Sequence, residues 1–211
     1  MEFKFIIGHP SLIHYAEEIC QLIAESAKAR GTGIAKRPVQ YIQDKISSGN
    51  AILALSQNQL VGFCYIETWE HGKYVANSGL IIHPDFRQMG LAKQVKTHIF
   101  QLSKTKYPHA QIFGITTSLA VMRINSSLGY QPVTFSELTQ DEAFWKGCQS
   151  CPNYDILQRN QQKMCLCTAM LAPAKEAVLK HDLSHLILRN GKKISSEFQV
   201  DKFCHQIRHK T

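Results

Sequence analysis

The feature that most constrains the fold is a strand, a glycine loop and a helix in direct succession. Residues 77–83 are rich in β-forming side chains and end at Pro84, which predicts a strand. Gly90 follows in a short loop, and apolar residues at helical spacing predict a helix over residues 91–103. At such a junction several backbone N–H groups point outward without intrahelical partners. The arrangement binds anions, above all a diphosphate.

The rest of the pattern predicts one mixed α/β domain over residues 1–172. Two β-rich runs, 51–55 and 60–67, are separated by a short turn and are expected to be adjacent antiparallel strands. Further strands are predicted over residues 3–7, 111–117, 132–135 and 164–171. Helices are predicted from Ser11, as the cap, to before Gly31, and over residues 39–47, 119–128, 141–145 and 156–159.

Composition narrows the class of protein. The 211 residues are 44% hydrophobic and 19% charged, which supports a packed core and argues against disorder. The longest apolar runs, such as 51–55, are far shorter than the roughly 20 residues that cross a bilayer. The first residues lack the basic start and apolar stretch of a secretory signal. We therefore expect a cytoplasmic protein without membrane association.

The net charge of +8 is unevenly distributed. Residues 173–211 carry half of it and are predicted to form a basic C-terminal extension, with a helix that places His181 and His185 one turn apart. The chain has no basic-aromatic interleaving, zinc finger or helix-turn-helix signal, so we expect no nucleic-acid binding. The use of the tail, including formation of a homodimer, stays open at this point.

Two motifs link the chain to a known family. Ile82-His83-Pro84 is followed by Arg-x-x-Gly-x-Ala at residues 87–92, and a later helix ends in Ser-Leu-Gly-Tyr at residues 127–130. With these motifs the chain resembles the GNAT superfamily of N-acetyltransferases over roughly residues 1–172. The resemblance implies an α/β fold whose largely antiparallel sheet, flanked by helices, is splayed between the fourth strand, here 77–83, and the fifth, here 111–117. It also implies acetyl-CoA as co-substrate, lying in the splay.

The resemblance also implies which residues hold the coenzyme. Backbone groups of Ile81 and Ile82 would pair with the pantetheine arm. The diphosphate would be held by the loop residues Arg87, Gln88, Met89, Gly90, Leu91 and Ala92. Gly90 permits close approach of the backbone, and Arg87 adds a charged donor.

Acyl transfer to an amine needs a base that removes a proton from the ammonium group. Glu67 is the first candidate, at the end of a strand that faces the cleft, with Glu70, His71 and His83 behind it. The alternative interpretation is that Glu67 and Glu70 are solvated residues at a strand end.

Acyl transfer also needs a proton for the leaving thiolate. The family commonly has a tyrosine for this step, and the corresponding position here is Asn125. An amide donates a hydrogen bond but is not a useful acid. This departure keeps a second class open, a non-catalytic acyl-CoA-binding or regulatory module.

The segment 33–42 is similar to the amino-terminal part of N-acetylglutamate synthase acetyltransferase domains. The similarity makes Arg37 and Tyr41 candidate substrate-binding residues, since a guanidinium binds a carboxylate in bidentate fashion. Glutamate or a related small carboxylate is therefore the predicted acceptor, and acetyl the predicted acyl group, with other short acyl groups left open. Pro38 replaces the serine usual in the synthases, and an exposed arginine in a basic loop is the alternative interpretation of Arg37.

Four of the seven cysteines form two close pairs, Cys148-x-x-Cys151 and Cys165-x-Cys167. On the predicted last strand the second pair would share one face, because side chains alternate along a strand. Four thiolates that converge would make a tetrahedral structural zinc site. The alternatives are reduced cysteines packed as small apolar side chains, or a redox pair.

Overall fold

A computed structural model describes residues 2–31 and 35–174. Its sheet has seven strands in the order β1-β2-β3-β4-β5-β7-β6. Only β4 and β5 are parallel neighbours, and all other neighbours are antiparallel. The strands are β1 (Lys4–Ile7), β2 (Ala51–Ser56), β3 (Gln59–Trp69), β4 (Tyr74–Ile82), β5 (Gln111–Thr116), β6 (Gln131–Val133) and β7 (Thr168–Ala172). The predicted mixed, largely antiparallel sheet is confirmed.

Helices flank the sheet. They are α1 (Ala16–Arg30), α2 (Val39–Ser47), α3 (Leu91–Lys106), α4 (Leu119–Ser127), α5 (Glu142–Lys146) and α6 (Tyr154–Arg159). The prediction that Ser11 caps the first α-helix is wrong. The His9 ring accepts the Ser11 N–H at 3.3 Å and caps a 3-10 turn, Pro10–Tyr15, so that α1 begins only at Ala16.

Strand alternation divides the core between the two faces of the sheet. On β3, Phe63 and Tyr65 pack with α1 and α2, whereas Cys64 and Ile66 pack with α3. A third cluster joins β5 to α5 and α6 through Phe113, Phe144 and Leu157. Side chains on consecutive residues of one central strand therefore reach opposite layers.

The parallel pair separates early. β4 and β5 are paired only from Tyr74 and Gln111 to Ala76 and Phe113, and β5 then continues alongside β7. β4 bulges at Gly79, whose φ of 66° lies in the left-handed region. A Cβ there would lie 2.3 Å from the Tyr65 ring, so this position requires glycine. The divergence opens a V-shaped gap in the middle of the sheet.

The predicted basic extension over residues 173–211 lies almost wholly outside the described residues, and so do its predicted helix and His181 and His185. Within the described residues, no helix has the length and apolar character needed to cross a membrane.

Candidate active site

The loop before α3 presents backbone rather than side chains. Gln88 and Gly90 have φ values of 65° and 74°, and no side chain caps the first turn of α3. Apart from Gly90 and its two chain neighbours, no described residue has an atom within 4 Å of the place where a Cβ on Gly90 would be. Met89 is 48% exposed beside it. An uncapped helix start with open space in front of it suits an anion.

The side chain of Arg87 fastens this loop to the domain. Its Nε donates to the carbonyl oxygen of Ile82 at the end of β4, at 3.3 Å. Its Nη2 donates to the Ser26 hydroxyl on α1, at 3.2 Å. A guanidinium has five N–H donors, so others remain for a phosphate. Binding of the diphosphate by residues 87–92 stays a prediction.

A cavity of about 180 Å³ lies where β4 and β5 part. Its walls come from β3, from residues 76–80 of β4, from β5, from α4 and from the segment between residues 147 and 167. Several predicted site residues from distant parts of the sequence meet here: Arg37, Glu67, Asn125, Cys148, Cys151, Cys165 and Cys167. Residues 87–92, Ile81 and Ile82 do not line this cavity, whose β4 wall consists of the preceding residues.

Glu67 lines one wall of the cavity. The carboxylate is 5% exposed and accepts hydrogen bonds from the hydroxyls of Tyr41 on α2 and Ser78 on β4. Nη2 of Arg37 lies 3.8 Å from Oε1 of Glu67, and Nε of Arg37 donates to the Tyr65 hydroxyl at 3.0 Å. The interpretation of Glu67 as a solvated strand-end residue is wrong, because strand pairing places it inside the sheet.

The neighbours of Glu67 are held in defined protonation states. Burial, and then the charge of Glu67, raises the pKa of Tyr41, so that this hydroxyl stays a donor. Burial lowers the pKa of Arg37, but the nearby Tyr65 and Glu67 outweigh this and raise it overall. The wall therefore offers an anion and a cation side by side in a partly desolvated cavity.

The opposite wall of the cavity holds two further polar side chains. Asn125 on α4 is 1% exposed, and its Nδ2 contacts Sδ of Met170 at 3.7 Å. The Asn125 Oδ1 is buried and has no hydrogen-bond partner among the described residues. Lys96 on α3 is 2% exposed and donates to the carbonyl oxygen of Asn77 at 3.1 Å. Lys96 was absent from the sequence prediction, although a lysine within the apolar stripe of α3 was a usable signal.

The other candidate bases lie elsewhere. Glu70 accepts the Thr139 hydroxyl and the Gln140 N–H at 2.8 and 2.9 Å and thereby holds that loop. His71 lies beside a separate shallow pocket, and His83 caps the 3-10 turn before α3. Since all three are absent from the cavity lining, Glu67 is the carboxylate that the structure brings to the splay.

The four cysteines share the cavity wall but are not arranged as a zinc site. The predicted last strand begins only at Thr168, so Cys165 and Cys167 precede it and the shared strand face is wrong. The Cys151 sulfur accepts the Asn153 N–H at 3.5 Å, and Cys165 points at the Asn153 carbonyl at 3.8 Å. Across residues 2–31 and 35–174, no group of three or more His, Cys, Asp or Glu side chains is placed to hold a metal ion.

All four thiols are free, and Cys148, Cys165 and Cys167 pack against the third core cluster. Burial raises the pKa of Cys148 to about 11 and that of Cys167 to about 12, and neighbouring cysteines add to both shifts. Both thiols are therefore weak acids in this arrangement.

The strand order and the gap agree with the fold that the sequence resemblance implies. The sheet is antiparallel except for one parallel pair, whose strands diverge beside the start of α3, and solved acetyltransferase structures share this fold. Residues 20–118 match the model of the acetyltransferase (GNAT) family. That segment, somewhat less than half of the chain, is similar to a GNAT acetyltransferase domain.

Solved structures share this fold at low sequence identity. N-acetylglutamate synthase from Neisseria gonorrhoeae, complexed with coenzyme A and N-acetyl-glutamate, is 14% identical with a TM-score of 0.60. The match covers 82% of this chain but 35% of the synthase, so the chain spans about a third of that protein.

Two other neighbours are matched over nearly their whole length. Diaminobutyrate acetyltransferase from Paenibacillus lautus, with L-2,4-diaminobutyric acid and coenzyme A, is 10% identical over 82% of this chain and 95% of that one, with a TM-score of 0.55. The ribosomal-protein-S18-alanine N-acetyltransferase from Escherichia coli is 10% identical over 82% and 94%, with a TM-score of 0.52. At these identities the likeness establishes the fold, and a comparison with curated protein sequences finds no match.

Proposed function

We propose that the protein transfers an acetyl group from acetyl-CoA to the amine of a small amino acid such as glutamate. The observation that carries this proposal is the Arg37–Glu67 pair on the wall of the splay, with 3.8 Å between Nη2 and Oε1. An amino acid presents an ammonium and a carboxylate close together. The carboxylate of Glu67 complements the first group and the guanidinium of Arg37 complements the second.

The surroundings of the pair suit this task. Glu67 is held by Tyr41 and Ser78, so its orientation is set before substrate arrives. Nε of Arg37 donates a hydrogen bond to the Tyr65 hydroxyl, and its Nη1 donates to the carbonyl oxygens of Lys36 and Gly147 at 3.3 and 3.5 Å. These contacts fix the plane of the guanidinium, which lowers the entropy cost of binding a carboxylate.

The chemistry follows from this placement. Glu67 takes a proton from the ammonium of the acceptor, directly or through a water molecule, and the neutral amine attacks the thioester carbonyl carbon. Binding both reactants in one gap supplies orientation. Beyond Ala76 the edge of β4 that faces β5 is unpaired, so its backbone N–H groups are available to an oxyanion.

The neighbours with known ligands support the same acceptor class. N-acetylglutamate and L-2,4-diaminobutyric acid, bound in two of the similar structures, are both amino-acid derivatives with a carboxylate. The third neighbour is named for a ribosomal protein as acceptor, so the fold alone does not select the amine. The selection rests on Arg37 and Glu67.

The test is a panel of amino acids and diamino acids, incubated with acetyl-CoA and the full chain. Release of the coenzyme A thiol and the mass of the N-acetylated product are measured together. We expect turnover with acceptors that carry a carboxylate and loss of turnover with their amides. Turnover confined to amines without a carboxylate contradicts the proposed acceptor.

Coenzyme binding is measured in the same samples by calorimetry. Binding of acetyl-CoA without acetylation of any amine supports the competing class, a non-catalytic acyl-CoA-binding module. Absence of coenzyme binding contradicts both functions.

A further inference from the structure

Lys96 is the least expected side chain in the cavity wall. It is fully buried, yet its one hydrogen bond goes to the carbonyl oxygen of Asn77. Within the described residues no carboxylate lies within ion-pair distance of Lys96. Burying an ammonium without a counter-ion is costly, and an apolar side chain of similar length would fill the space without that cost. The charge is therefore expected to serve a ligand.

The position of Lys96 identifies which part of a ligand it meets. Asn77 is the first β4 residue beyond the last β4–β5 pair, Ala76 and Phe113, so the ammonium sits at the apex of the V. Opposite it on β5 is Gly114, which has no side chain to close the space. A Cβ on Gly114 would lie 4.0 Å from Nζ of Lys96, 3.9 Å from Nδ2 of Asn125 and 3.8 Å from the Asn77 carbonyl oxygen. Three polar atoms thus surround one open point.

The apex and the acceptor pair lie on opposite faces of the sheet. Lys96 belongs to α3, whereas Glu67 bonds to Tyr41 of α2 in the other layer. The Glu67 carboxylate and the Lys96 ammonium therefore border the cavity from different layers of the domain. Asn125, which occupies the position of the family's usual acid, borders the same point but has no acidic proton.

We propose that the Lys96 ammonium binds the coenzyme A sulfur and donates the proton that the leaving thiolate requires. This inference rests on the proposed acyl transfer. As the tetrahedral centre collapses, the C–S bond breaks, sulfur keeps the electron pair, and one proton passes from Nζ to sulfur. The acceptor nitrogen, which has formed the new C–N bond, loses one proton to Glu67 before attack and a second to solvent afterwards. Glu67 then releases its proton to solvent and Lys96 regains one from solvent, so the reaction yields amide, thiol and one free proton.

The groups that face Lys96 are compatible with this role. The ammonium lies 5.4 Å from the centre of the Tyr130 ring, which stabilises a cation. Cys64 of β3 is close enough to affect the ionisation of Lys96. Burial raises the pKa of Cys64 to about 11 and that of Tyr130 well above its ordinary value, so both stay neutral. Burial lowers the pKa of Lys96, which makes its ammonium a stronger acid toward a thiolate.

The experiment measures the ionisation of bound coenzyme A, and so needs no acceptor. Thiolate absorbance in the ultraviolet is followed against pH for coenzyme A bound to the protein, with desulfo-coenzyme A as the blank. A cation beside the sulfur lowers the pKa of the bound thiol by about 1–3 pH units relative to free coenzyme A. We expect Lys96→Met to abolish this shift and Lys96→Arg to retain most of it.

Lys106→Met is the matched control. Lys106 is also on α3 and donates to backbone carbonyls, those of Ser48 and Gly49, but it lies outside the cavity lining. This variant should leave the pKa of the bound thiol unchanged. An unshifted thiol in the wild-type complex, or an equal shift in Lys96→Met, overturns the role of Lys96.

The two proposals fail differently. If coenzyme A does not bind the wild-type protein, both are overturned. If it binds with an unshifted thiol while amino acids are acetylated, the role of Lys96 alone is overturned. The wild-type titration decides even where Lys96→Met does not fold, because free coenzyme A is its reference.

Discussion

The loop before α3 and the wall of the cavity between β4 and β5 differ in the groups that they present. The loop presents backbone groups, and the wall presents side chains. The loop consists of contiguous residues, is exposed at Met89, and offers backbone N–H groups from residues with positive φ. The wall is assembled from distant segments and offers buried side chains such as Glu67, whose every oxygen is engaged. The loop should therefore depend on backbone conformation and tolerate most side chains. In the wall, the loss of a single polar atom should matter.

The largest effect is expected in the wall, from Glu67→Gln. The amide keeps the size of the side chain but cannot take a proton, so turnover should fall by about 10²–10⁴-fold. Coenzyme affinity should stay close to that of the wild type. Initial rates of thiol release and calorimetry measure the two quantities.

Glu70→Gln is the control for this change. Glu70 directly follows β3, three residues after Glu67, but it does not line the cavity. Its turnover should equal that of the wild type. If Glu70→Gln rather than Glu67→Gln is inactive, the base has been assigned to the wrong residue.

The second largest effect is expected in the loop, from Gly90→Glu, because Gly90 has a positive φ. A side chain at a φ of 74° costs about 1–2 kcal/mol, and its carboxylate repels a diphosphate. We expect coenzyme affinity to fall by about 100-fold, equivalent to about 2.8 kcal/mol. Calorimetric titration with coenzyme A tests it.

Gly31→Glu makes the matched comparison, because Gly31 ends α1 with a φ of 65° and a Cβ there would meet no neighbouring group among the residues that the structure describes. It carries the same strain and charge away from the loop. Equal loss of affinity in both variants would show that the effect is not specific to the loop.

A smaller effect is expected from Arg37→Gln. Removing one charged hydrogen-bond partner of a carboxylate costs about 1.5–3 kcal/mol, so the KM for the acceptor should rise by about 10–100-fold. The KM for acetyl-CoA should be unchanged. Lys36→Gln, which alters the exposed neighbouring cation, should leave both constants unaltered. A rise confined to the KM of acetyl-CoA would place Arg37 at the coenzyme instead.

The smallest effect is expected from Met89→Ala. This side chain is 48% exposed in the loop, and the backbone rather than the side chain faces the anion. Coenzyme affinity should change by less than about threefold, or about 0.65 kcal/mol. A loss comparable with that of Gly90→Glu would mean that the loop binds through side chains, and the contrast with the wall would disappear.

Some elements were accessible from the sequence because their signals are local. The strand, glycine loop and helix over residues 77–103 were predicted close to their true positions, since Pro84, Gly90 and the spacing of apolar residues act over a few residues. The last strand was placed too early because residues 164–167 continue the apolar pattern without pairing. The zinc hypothesis assumed that Cys165 and Cys167 lie on one face of this strand, and both residues precede it.

The sequence by itself determined the α/β class, the helix start at Leu91 and the candidacy of Glu67, because residue type and short-range spacing encode them. Only the tertiary structure decided which side chains meet. Arg37 reaches Tyr65 across 28 residues of sequence, and Lys96 reaches Asn77 across 19. Such contacts depend on strand register and helix docking, where a shift of one residue sends a side chain to the other face of the sheet. The partners of each polar group in the splay were therefore decided by the packing of whole elements.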